Sequence, residues 1–220
     1  MLKGKPTEYG TGLIIYGDLY DLKSLYKTVS EISDYVGEEN PDSDLYMSMA
    51  YSLRKSWEGN REEYDVGEPE YWDIKYRGFN IYWPDFILTL NLIRQRVGYL
   101  GTNPEMQANI YRLEQVGMEA LREYDEVYGE KYVKWIIENK IMFGPYLLQI
   151  LDEVRLNHLS EKNGKPRFKR LLQNMKPFIL FSKEHSAMVK KLEKQAEKYK
   201  CKVEDLKYSG EIYDDLKYKW

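Results

Sequence analysis

The sequence predicts an α+β fold, in which a small N-terminal antiparallel or mixed sheet with its helix precedes a mainly helical C-terminal half. Two observations lead to this prediction. The apolar run Gly12 to Tyr16 (GLIIY) is too short for a helix and rich in isoleucine, which indicates a buried strand. Beyond residue 100, apolar residues recur at three-and-four spacing in one segment after another, as they do on amphipathic helices.

The chain shows no internal repeat and no low-complexity linker, so a single domain is expected over residues 1–220. We expect that domain to have three parts: a sheet-plus-helices part (1–100), a helical part (101–208) and an irregular tail (209–220), whose sequence SGEIYDDLKYKW has no clear period.

The first helix is predicted to follow the first strand closely. Apolar residues at helical spacing run from Leu22 to Val36, and Gly37 lies where a helix-ending glycine is preferred. Asp18 and Asp21 lie at its start, where a carboxylate accepts a backbone N–H and suits the positive end of the helix dipole. No further carboxylate or histidine converges on them in the sequence, so we interpret them as helix caps and not as catalytic groups.

The segment from residue 41 to residue 83 carries two competing periodicities. PDSD at 41–44 is typical of a turn. In the next stretch, alternation of apolar residues from Met47 to Leu53 favours a strand, whereas the spacing of Leu45, Met49 and Leu53 favours a helix; we predict a strand over 45–55. Residues 60–70 predict a polar loop, and YWDIKYRGFNIYW at 71–83 predicts two short strands that hinge near Gly78.

Six helices are predicted in the rest of the chain. The first carries Phe86, Leu90, Ile93 and Val97 and is expected to end at Gly98 or Gly101; the last carries Met188, Leu192, Ala196 and Tyr199. The predicted starts are Pro84, Pro104 after the cap Asn103, Tyr132 (for a helix to Ile141), Pro145 and, for the fifth, the residues after the turn at Asn163 and Gly164. Gly129 is expected to end the second of these helices, and Pro177 to kink or break the fifth.

Composition indicates a globular protein and excludes several chemistries. Hydrophobic residues make up 43% of the chain and charged residues 31%, no apolar run approaches the roughly 18 residues that a membrane span needs, and the first ten residues lack a signal-peptide core. A cytoplasmic protein is therefore expected. The single cysteine, Cys201, excludes an internal disulfide and a cysteine-rich zinc site, while His158 and His185 belong to no metal-binding pattern. We predict no metal and no cofactor.

The catalytic and nucleotide-binding motifs that we searched for are also missing from the sequence. It contains no GxSxG elbow and no GxxxxGK[ST] phosphate loop. The glycines of YGTGLIIYG precede the strand and have the wrong spacing for a dinucleotide fingerprint.

The distribution of charge and the tyrosine content give information about the kind of partner that the protein binds. Residues 31–73 hold 13 acidic and 3 basic side chains, whereas residues 161–202 hold 13 basic and 4 acidic ones. Opposite charge of this kind indicates either ends that attract each other, within one molecule or between two copies, or a basic surface for phosphate. Tyrosine occurs 21 times, which fits either an interface, where its large area and polar tip are favoured, or a biased genome composition.

Polar residues beside aromatic rings form a candidate functional cluster. In LRKSWEGNRE and WPDF, arginine next to tryptophan can bind a phosphate or stack on a base, but it can equally cover the ring or pair with a carboxylate such as Glu58. An aspartate that follows Pro84 also suits the helix dipole. The cluster consists of Asp18, Arg54, Trp57, Arg61, Trp83 and Asp85.

The block KNGKPRFKR supplies a second set of candidates. Lys165, Arg167, Lys169 and Arg170 could follow a phosphate backbone beside Phe168. The net charge of −3 for the whole chain argues against nucleic acid as the partner.

Four motifs taken together resemble a family of bacterial proteins of unknown function. They are GLIIYGDLYDLKSLY, SLRKSWEGNRE, FNIYWPDFILTLNLIR and YKCKVEDLKYS, in this order over nearly the whole chain. The resemblance implies a single-domain cytoplasmic protein and supplies no catalytic residue. It draws attention to Gly17, Asp18, Arg54, Arg61, Trp83, Pro84 and Asp85.

We rank three functions. The first is an accessory or interaction protein without catalysis, which binds another protein or a second copy of itself and therefore needs a contiguous tyrosine-bearing surface. The second is an enzyme that uses carboxylates and arginines on a phosphate-containing small molecule, which requires Asp18, Arg54, Arg61 or Asp85 to meet in one cleft. The third is nucleic-acid binding through Lys165 to Lys176. No membrane partner is expected.

Overall fold

A computed structural model describes residues 1–37, 39–64, 74–138, 141, 144–207, 216 and 218–220. It confirms the α+β fold, with a four-stranded antiparallel sheet in the N-terminal part and helices in most of the remainder. The strands are β1 (Lys3–Pro6), β2 (Gly12–Gly17), β3 (Glu63–Tyr64) and β4 (Tyr76–Tyr82). The helices are α1 (Leu19–Val36), α2 (Ser43–Trp57), α3 (Trp83–Val97), α4 (Pro104–Tyr124), α5 (Glu126–Ile137), α6 (Leu147–Ser160), α7 (Lys165–Met175) and α8 (Lys183–Tyr199).

The sheet has the strand order β1-β2-β4-β3, and every neighbouring pair is antiparallel. Because side chains alternate along a strand, each strand presents one set to an inner face and one to an outer face. Leu13, Ile15 and Phe79 point to the inner face and are buried. A methyl group at Gly4 would lie 2.3 Å from Val116 Cγ1, so α4 packs directly on this face.

Helix α3 is the centre of the core, since residues 83–93 are all buried. It begins directly after β4, with Pro84 in the first turn as predicted. Trp83 meets Phe86 and Phe168 at ring-centroid distances of 6.4 and 6.0 Å, which joins the start of α3 to α7. Among the described residues, no helix combines the length and hydropathy that a membrane crossing needs.

The opening of the chain follows the sequence prediction. Gly12–Gly17 forms a strand, and α1 ends at Val36 with Gly37 as its C-cap. Asp18 is the N-cap of α1: its Oδ1 accepts hydrogen bonds from the N–H groups of Tyr20 and Asp21 at 2.8 and 2.9 Å. The Asp21 carboxylate accepts one in return from the Asp18 N–H at 3.2 Å. The two aspartates therefore form a capping box, as the cap interpretation requires.

The strand predicted over 45–55 is wrong, because these residues belong to helix α2. Leu45, Met49 and Leu53 are buried against α1 and the sheet, whereas Met47 and Tyr51 are 55% and 49% exposed. The helical spacing of the buried residues therefore decides the structure of this segment. The alternation arose because two further apolar residues point to solvent.

The prediction of two strands hinged at Gly78 is also wrong for the described residues, since Tyr76–Tyr82 is one continuous strand. A methyl group at Gly78 would lie 2.2 Å from the carbonyl oxygen of Ile15. Because Gly78 has no side chain, β2 and β4 can approach each other closely here. In the predicted polar loop 60–70, residues 63–64 form β3 and residues 65–70 lie outside the described part; residues 71–73 lie outside it too.

Two helix boundaries, predicted at Gly129 and Pro145, lie at other residues in the structure. Gly129 lies inside α5 and not at the end of α4, because Asp125 ends α4 and caps α5 by accepting a hydrogen bond from the Tyr128 N–H at 3.0 Å. A methyl group at Gly129 would lie 2.2 Å from the Leu121 carbonyl oxygen, so this glycine permits α4 and α5 to touch. Helix α6 starts at Leu147 and not at Pro145.

The helix predicted from Tyr132 to Ile141 is α5, which runs from Glu126 to Ile137. Three other boundaries agree with the sequence prediction. Asn103 caps α4 and Gly98 follows α3; a break follows α7, where Lys176–Phe178 forms a 3-10 turn at Pro177. Of the predicted tail 209–220, only residues 216 and 218–220 are described.

Candidate functional site

The outer face of the sheet holds an aromatic pair that depends on a glycine. Tyr16 on β2 and Tyr64 on β3 are two strands apart, a separation of roughly 9 to 10 Å between backbones. Their rings nevertheless lie 5.1 Å apart between centroids: Tyr16 is opposite Gly78 on β4, which has no side chain, and Tyr64 is opposite Tyr76. The two rings form a platform on the outer face.

Lysines from the edge strand β1 reach this platform. The Lys5 Nζ lies 5.2 Å from the ring centroid of Tyr64 and 5.9 Å from that of Tyr16, and the Lys3 Nζ lies 5.2 Å from that of Tyr76. Ammonium groups at this range are attracted to the ring faces. We call these five residues, Lys3, Lys5, Tyr16, Tyr64 and Tyr76, the tyrosine–lysine face.

A groove runs along the outer face from Tyr64 toward the C-terminal residues. It has a volume of about 470 Å³ and is lined by Tyr64, Gly78, Phe79, Asn80 and Trp220. Arg61 and Glu62 also line it. The Tyr64 hydroxyl donates a hydrogen bond to Glu62 Oε2 at 3.2 Å. Burial, reinforced by Glu62, raises the pKa of Tyr64, which keeps this hydroxyl a donor. Arg61 is exposed and has no side-chain partner among the described residues.

The C-terminal residues lie at the other end of this groove. The Trp220 ring stacks on Tyr82, with a centroid distance of 4.6 Å and an angle of 10° between the rings. The hydroxyls of Tyr82 and Tyr218 are 2.7 Å apart and hydrogen-bonded. Burial, together with that hydrogen bond, raises the pKa of Tyr82. Residues 218–220 thus contribute aromatic surface that the sequence placed in an irregular tail.

Thr11, in the turn between β1 and β2, joins the C-terminal residues to the core. Its hydroxyl donates to the Lys219 carbonyl oxygen and accepts a hydrogen bond from Arg167 Nη1 at 2.6 Å. Its carbonyl oxygen accepts hydrogen bonds from the Trp83 N–H at 3.3 Å and from His158 Nε2 at 3.0 Å. The His158 imidazole is buried, and burial lowers its pKa to about 4, so it is a neutral structural group.

The candidate cluster from the sequence is spread over the molecule. Asp18, the cap of α1, and Trp57 line the same hollow of about 410 Å³, beside exposed Leu19 and Tyr20. Arg54 projects from α2 and lies 3.8 Å from Glu58, which is the local pairing considered from the sequence.

The other members of the cluster lie elsewhere. Arg61 lines the groove on the sheet, and Trp83 is fully buried in the core. Asp85 lines a further cleft of about 430 Å³, beside Tyr82, Thr89 and Trp220. The six residues are therefore not brought together at one site.

Asp85 forms a partly buried ion pair that the sequence did not reveal. Arg155 Nε donates to its two carboxylate oxygens at 2.8 and 3.0 Å, and Arg155 Nη1 donates to Asp152 Oδ1 at 3.0 Å. In an adjoining cleft of about 970 Å³, Arg96 pairs with one carboxylate oxygen of Asp42, with its Nη2 at 2.6 Å and its Nε at 3.2 Å from Oδ2. Both arginines are already neutralised by carboxylates, so neither is a ready phosphate ligand.

The basic candidates divide into buried and exposed groups. Arg167 is 1% exposed, and its guanidinium donates to the carbonyl oxygens of His158, Leu159 and Glu161 at 2.9 to 3.1 Å. It therefore cannot reach an external phosphate. Lys165, Lys169 and Arg170 are exposed on α7, where the Lys169 Nζ lies 5.2 Å from the Tyr128 ring. Among the described residues, no group of three or more potential metal ligands occurs.

Sequence reasoning missed Lys5, Tyr16, Tyr64 and Thr11. One signal could have revealed part of the platform, because Ile14 and Tyr16 alternate with the buried residues Leu13 and Ile15 on β2. Thr11 carried no such signal.

Comparison with known proteins gave one match. A family model described as Domain of unknown function (DUF6904) matches residues 2–220. No match was found among curated proteins or among solved structures.

Proposed function

We propose that this chain, which belongs to the family described as Domain of unknown function (DUF6904), is an interaction protein that acts by binding and not by catalysis. Its docking surface is the tyrosine–lysine face with the adjoining groove, and its partner is an acidic segment of another protein. The observation behind this proposal is the pairing of Tyr16 and Tyr64 above Gly78, with Lys5 over both rings.

The chemistry of the face suits a protein partner. Tyrosine offers a large contact area with few rotatable bonds and a polar tip, which is why it is favoured at interfaces. The rings of Tyr16 and Tyr64 are held against each other, so little conformational entropy is lost when a partner covers them. The surface therefore has the fixed aromatic anchors of a binding site.

Charge around the groove supports an acidic partner. Lys5 and Arg61 are exposed near the aromatic surface. The carboxylate of Glu62 already accepts the Tyr64 hydrogen bond. Complementary charge steers association and selects among partners.

Catalysis is less well supported because the carboxylates and arginines of the candidate cluster lie in separate hollows. Base stacking is also less suited to the platform. The rings of Tyr16 and Tyr64 meet at 33° and Lys5 lies over both, so their faces are already partly used. We assign this role to the bacterial cytoplasm, where a free and exposed thiol such as that of Cys201 stays reduced.

A photo-crosslinking amino acid placed at Tyr64 tests the proposal in cells. Benzoylphenylalanine at this position should give a discrete heterologous adduct, and the charge reversal Lys5→Glu should reduce its yield about tenfold. The same crosslinker at Tyr111, an aromatic residue 59% exposed on α4, should give no such adduct. Lys190→Glu on α8 changes the net charge equally but lies outside the sheet and should leave the yield unchanged.

Equal adducts at Tyr64 and Tyr111, or insensitivity to Lys5→Glu, would remove the sheet face as the docking surface. An adduct between two copies of this chain would replace the foreign partner by a homodimer.

A further inference from the structure

The C-terminal residues lie on the outer face as an extended peptide would. Tyr218 and Trp220 are two positions apart and both contact Tyr82, with centroid distances of 5.9 and 4.6 Å. Lys219 between them points elsewhere, with its Nζ 5.4 Å from the Tyr9 ring. Alternation with period two is the pattern of an extended chain. The backbone takes part as well, since the Lys219 carbonyl accepts the Thr11 hydroxyl hydrogen bond.

The Thr11 hydroxyl, which donates a hydrogen bond to this peptide, is held in place by the fold. Thr11 is fully buried, and its hydroxyl oxygen accepts a hydrogen bond from Arg167 Nη1 at 2.6 Å. A hydroxyl has one proton, so acceptance from Arg167 leaves that proton free to be directed at the Lys219 carbonyl. Arg167 is itself held by three backbone carbonyls. The polar contact for a peptide backbone is thus preorganised, and Arg167 is its positioning residue.

We infer that this end of the groove recognises an extended segment with two aromatic residues separated by one residue, and that Tyr218–Trp220 is its occupant within the molecule. The inference rests on the proposed function, and it specifies the acidic partner segment further: the segment carries this aromatic spacing and displaces the C-terminal residues from Tyr82. In sequence, Ser209–Trp220 holds three acidic residues, two lysines and three aromatic residues, so the chain's own C-terminal sequence combines acidic and aromatic residues.

A tethered occupant competes strongly with a separate one. Attachment through a short stretch of the same chain gives effective concentrations on the order of 1 mM. A segment that binds with a Kd of about 100 µM would therefore be weakened about tenfold by the attached competitor. Release of the attached residues should raise the apparent affinity for a separate peptide by the same factor.

The test uses the full chain and a fluorescein-labelled synthetic peptide with the sequence of Ser209–Trp220, followed by fluorescence anisotropy. Trp220→Ala in the protein removes the ring that stacks on Tyr82 and should tighten peptide binding about tenfold relative to the unaltered chain. Tyr199→Ala, which removes an exposed aromatic residue on α8, is the matched control and should change nothing. A peptide with alanine in place of its tryptophan should not bind.

The role of Tyr82, on which the aromatic residues of the peptide should pack, can be tested in the same assay. Tyr82→Leu in the Trp220→Ala protein should weaken peptide binding at least tenfold, and circular dichroism establishes that both proteins remain folded. Equal peptide affinity for the unaltered and Trp220→Ala chains, or no binding to either, would overturn the inference.

The crosslinking result at Tyr64 is independent of the labelled peptide. If the adduct forms but the peptide does not bind, the protein docks a partner without this aromatic spacing. If the adduct is absent and the peptide binds, the groove serves the chain's own C-terminal residues alone, and the proposed function fails. A dimer that Trp220→Ala abolishes would assign the occupant to a second copy and overturn its assignment to another protein.

Discussion

Replacement of Arg167 by methionine is expected to destabilise the protein far more than the same change at Arg170, three residues along the same helix. Methionine fills most of the volume of the arginine stem but has no donor. The change removes hydrogen bonds to Thr11 Oγ1 and to the carbonyl oxygens of His158 and Leu159, all of them buried, as well as one to Glu161 that is partly buried. Four acceptors, three at the end of α6 and one in the turn between β1 and β2, lose one shared donor side chain.

The expected loss in the free energy of unfolding follows from the buried acceptors that remain when the Arg167 guanidinium is removed. A buried polar group left without its partner costs about 1–3 kcal/mol. The Thr11 hydroxyl and the His158 carbonyl oxygen keep a second partner, Lys219 and the Glu161 N–H, so the three buried acceptors together give at most roughly 3–9 kcal/mol. The cost of burying the guanidinium, which lowers the pKa of Arg167, is relieved in the variant and offsets part of this. We therefore expect a loss of about 3 kcal/mol or more in the free energy of unfolding, a large share of the roughly 5–15 kcal/mol typical of a folded domain.

Urea unfolding followed by circular dichroism measures this loss. Arg167→Met should lower the midpoint strongly with an unchanged slope, while Arg170→Met, at an exposed position, should change the free energy of unfolding by less than about 0.5 kcal/mol. A loss for Arg167→Met no larger than that of its control would show that the buried hydrogen bonds contribute little, and would remove Arg167 as the residue that positions Thr11.

Two further predictions concern stability. Gly78→Ala should lower the melting temperature by more than about 10 °C, because the new methyl group would lie 2.2 Å from the Ile15 carbonyl oxygen. Gly101 has open space around it, so Gly101→Ala should leave the melting temperature nearly unchanged in the same thermal scan. Burial lowers the pKa of His158 to about 4, below the roughly 6.5 of an unfolded histidine, so the unfolded state binds the additional proton as the pH falls from about 6.5 to about 4. Over that window the free energy of unfolding should decline by up to about 3 kcal/mol in pH-dependent denaturation, and His158→Gln should flatten the decline; an unchanged slope in that variant would assign the acid sensitivity to other groups.

Much of the fold was predictable where the controlling interactions are local. The capping box of Asp18 and Asp21, the proline in the first turn of α3 and the cap Asn103 all act within one helical turn, so their sequence signatures are enough. The error at 45–55 arose where two periods fitted the same residues. Only the packing of α2 on α1 decided that Met47 and Tyr51 face solvent.

The candidate site was less predictable because its contacts join distant parts of the chain. Arg61 was identified from its position beside a tryptophan, and the structure places it on the groove, where it lies with Tyr64 and Trp220. Arg167 was identified as a surface cation from its basic neighbours. It is buried, because α7 turns that side toward the end of α6 and the turn that holds Thr11.

The sequence by itself determined the α+β class, the start and end of the first helix and the absence of the motifs that we searched for, since these follow from propensities and spacings within a few residues. Tertiary structure alone decided which tyrosines form a surface and which cations are available to a partner. Tyr16 meets Tyr64 because the strand register places Gly78 opposite Tyr16 and Tyr76 opposite Tyr64. Thr11 binds Arg167 and Lys219 across 156 and 208 residues of chain. Contacts over such separations depend on how helices and strands dock, and no local pattern records that.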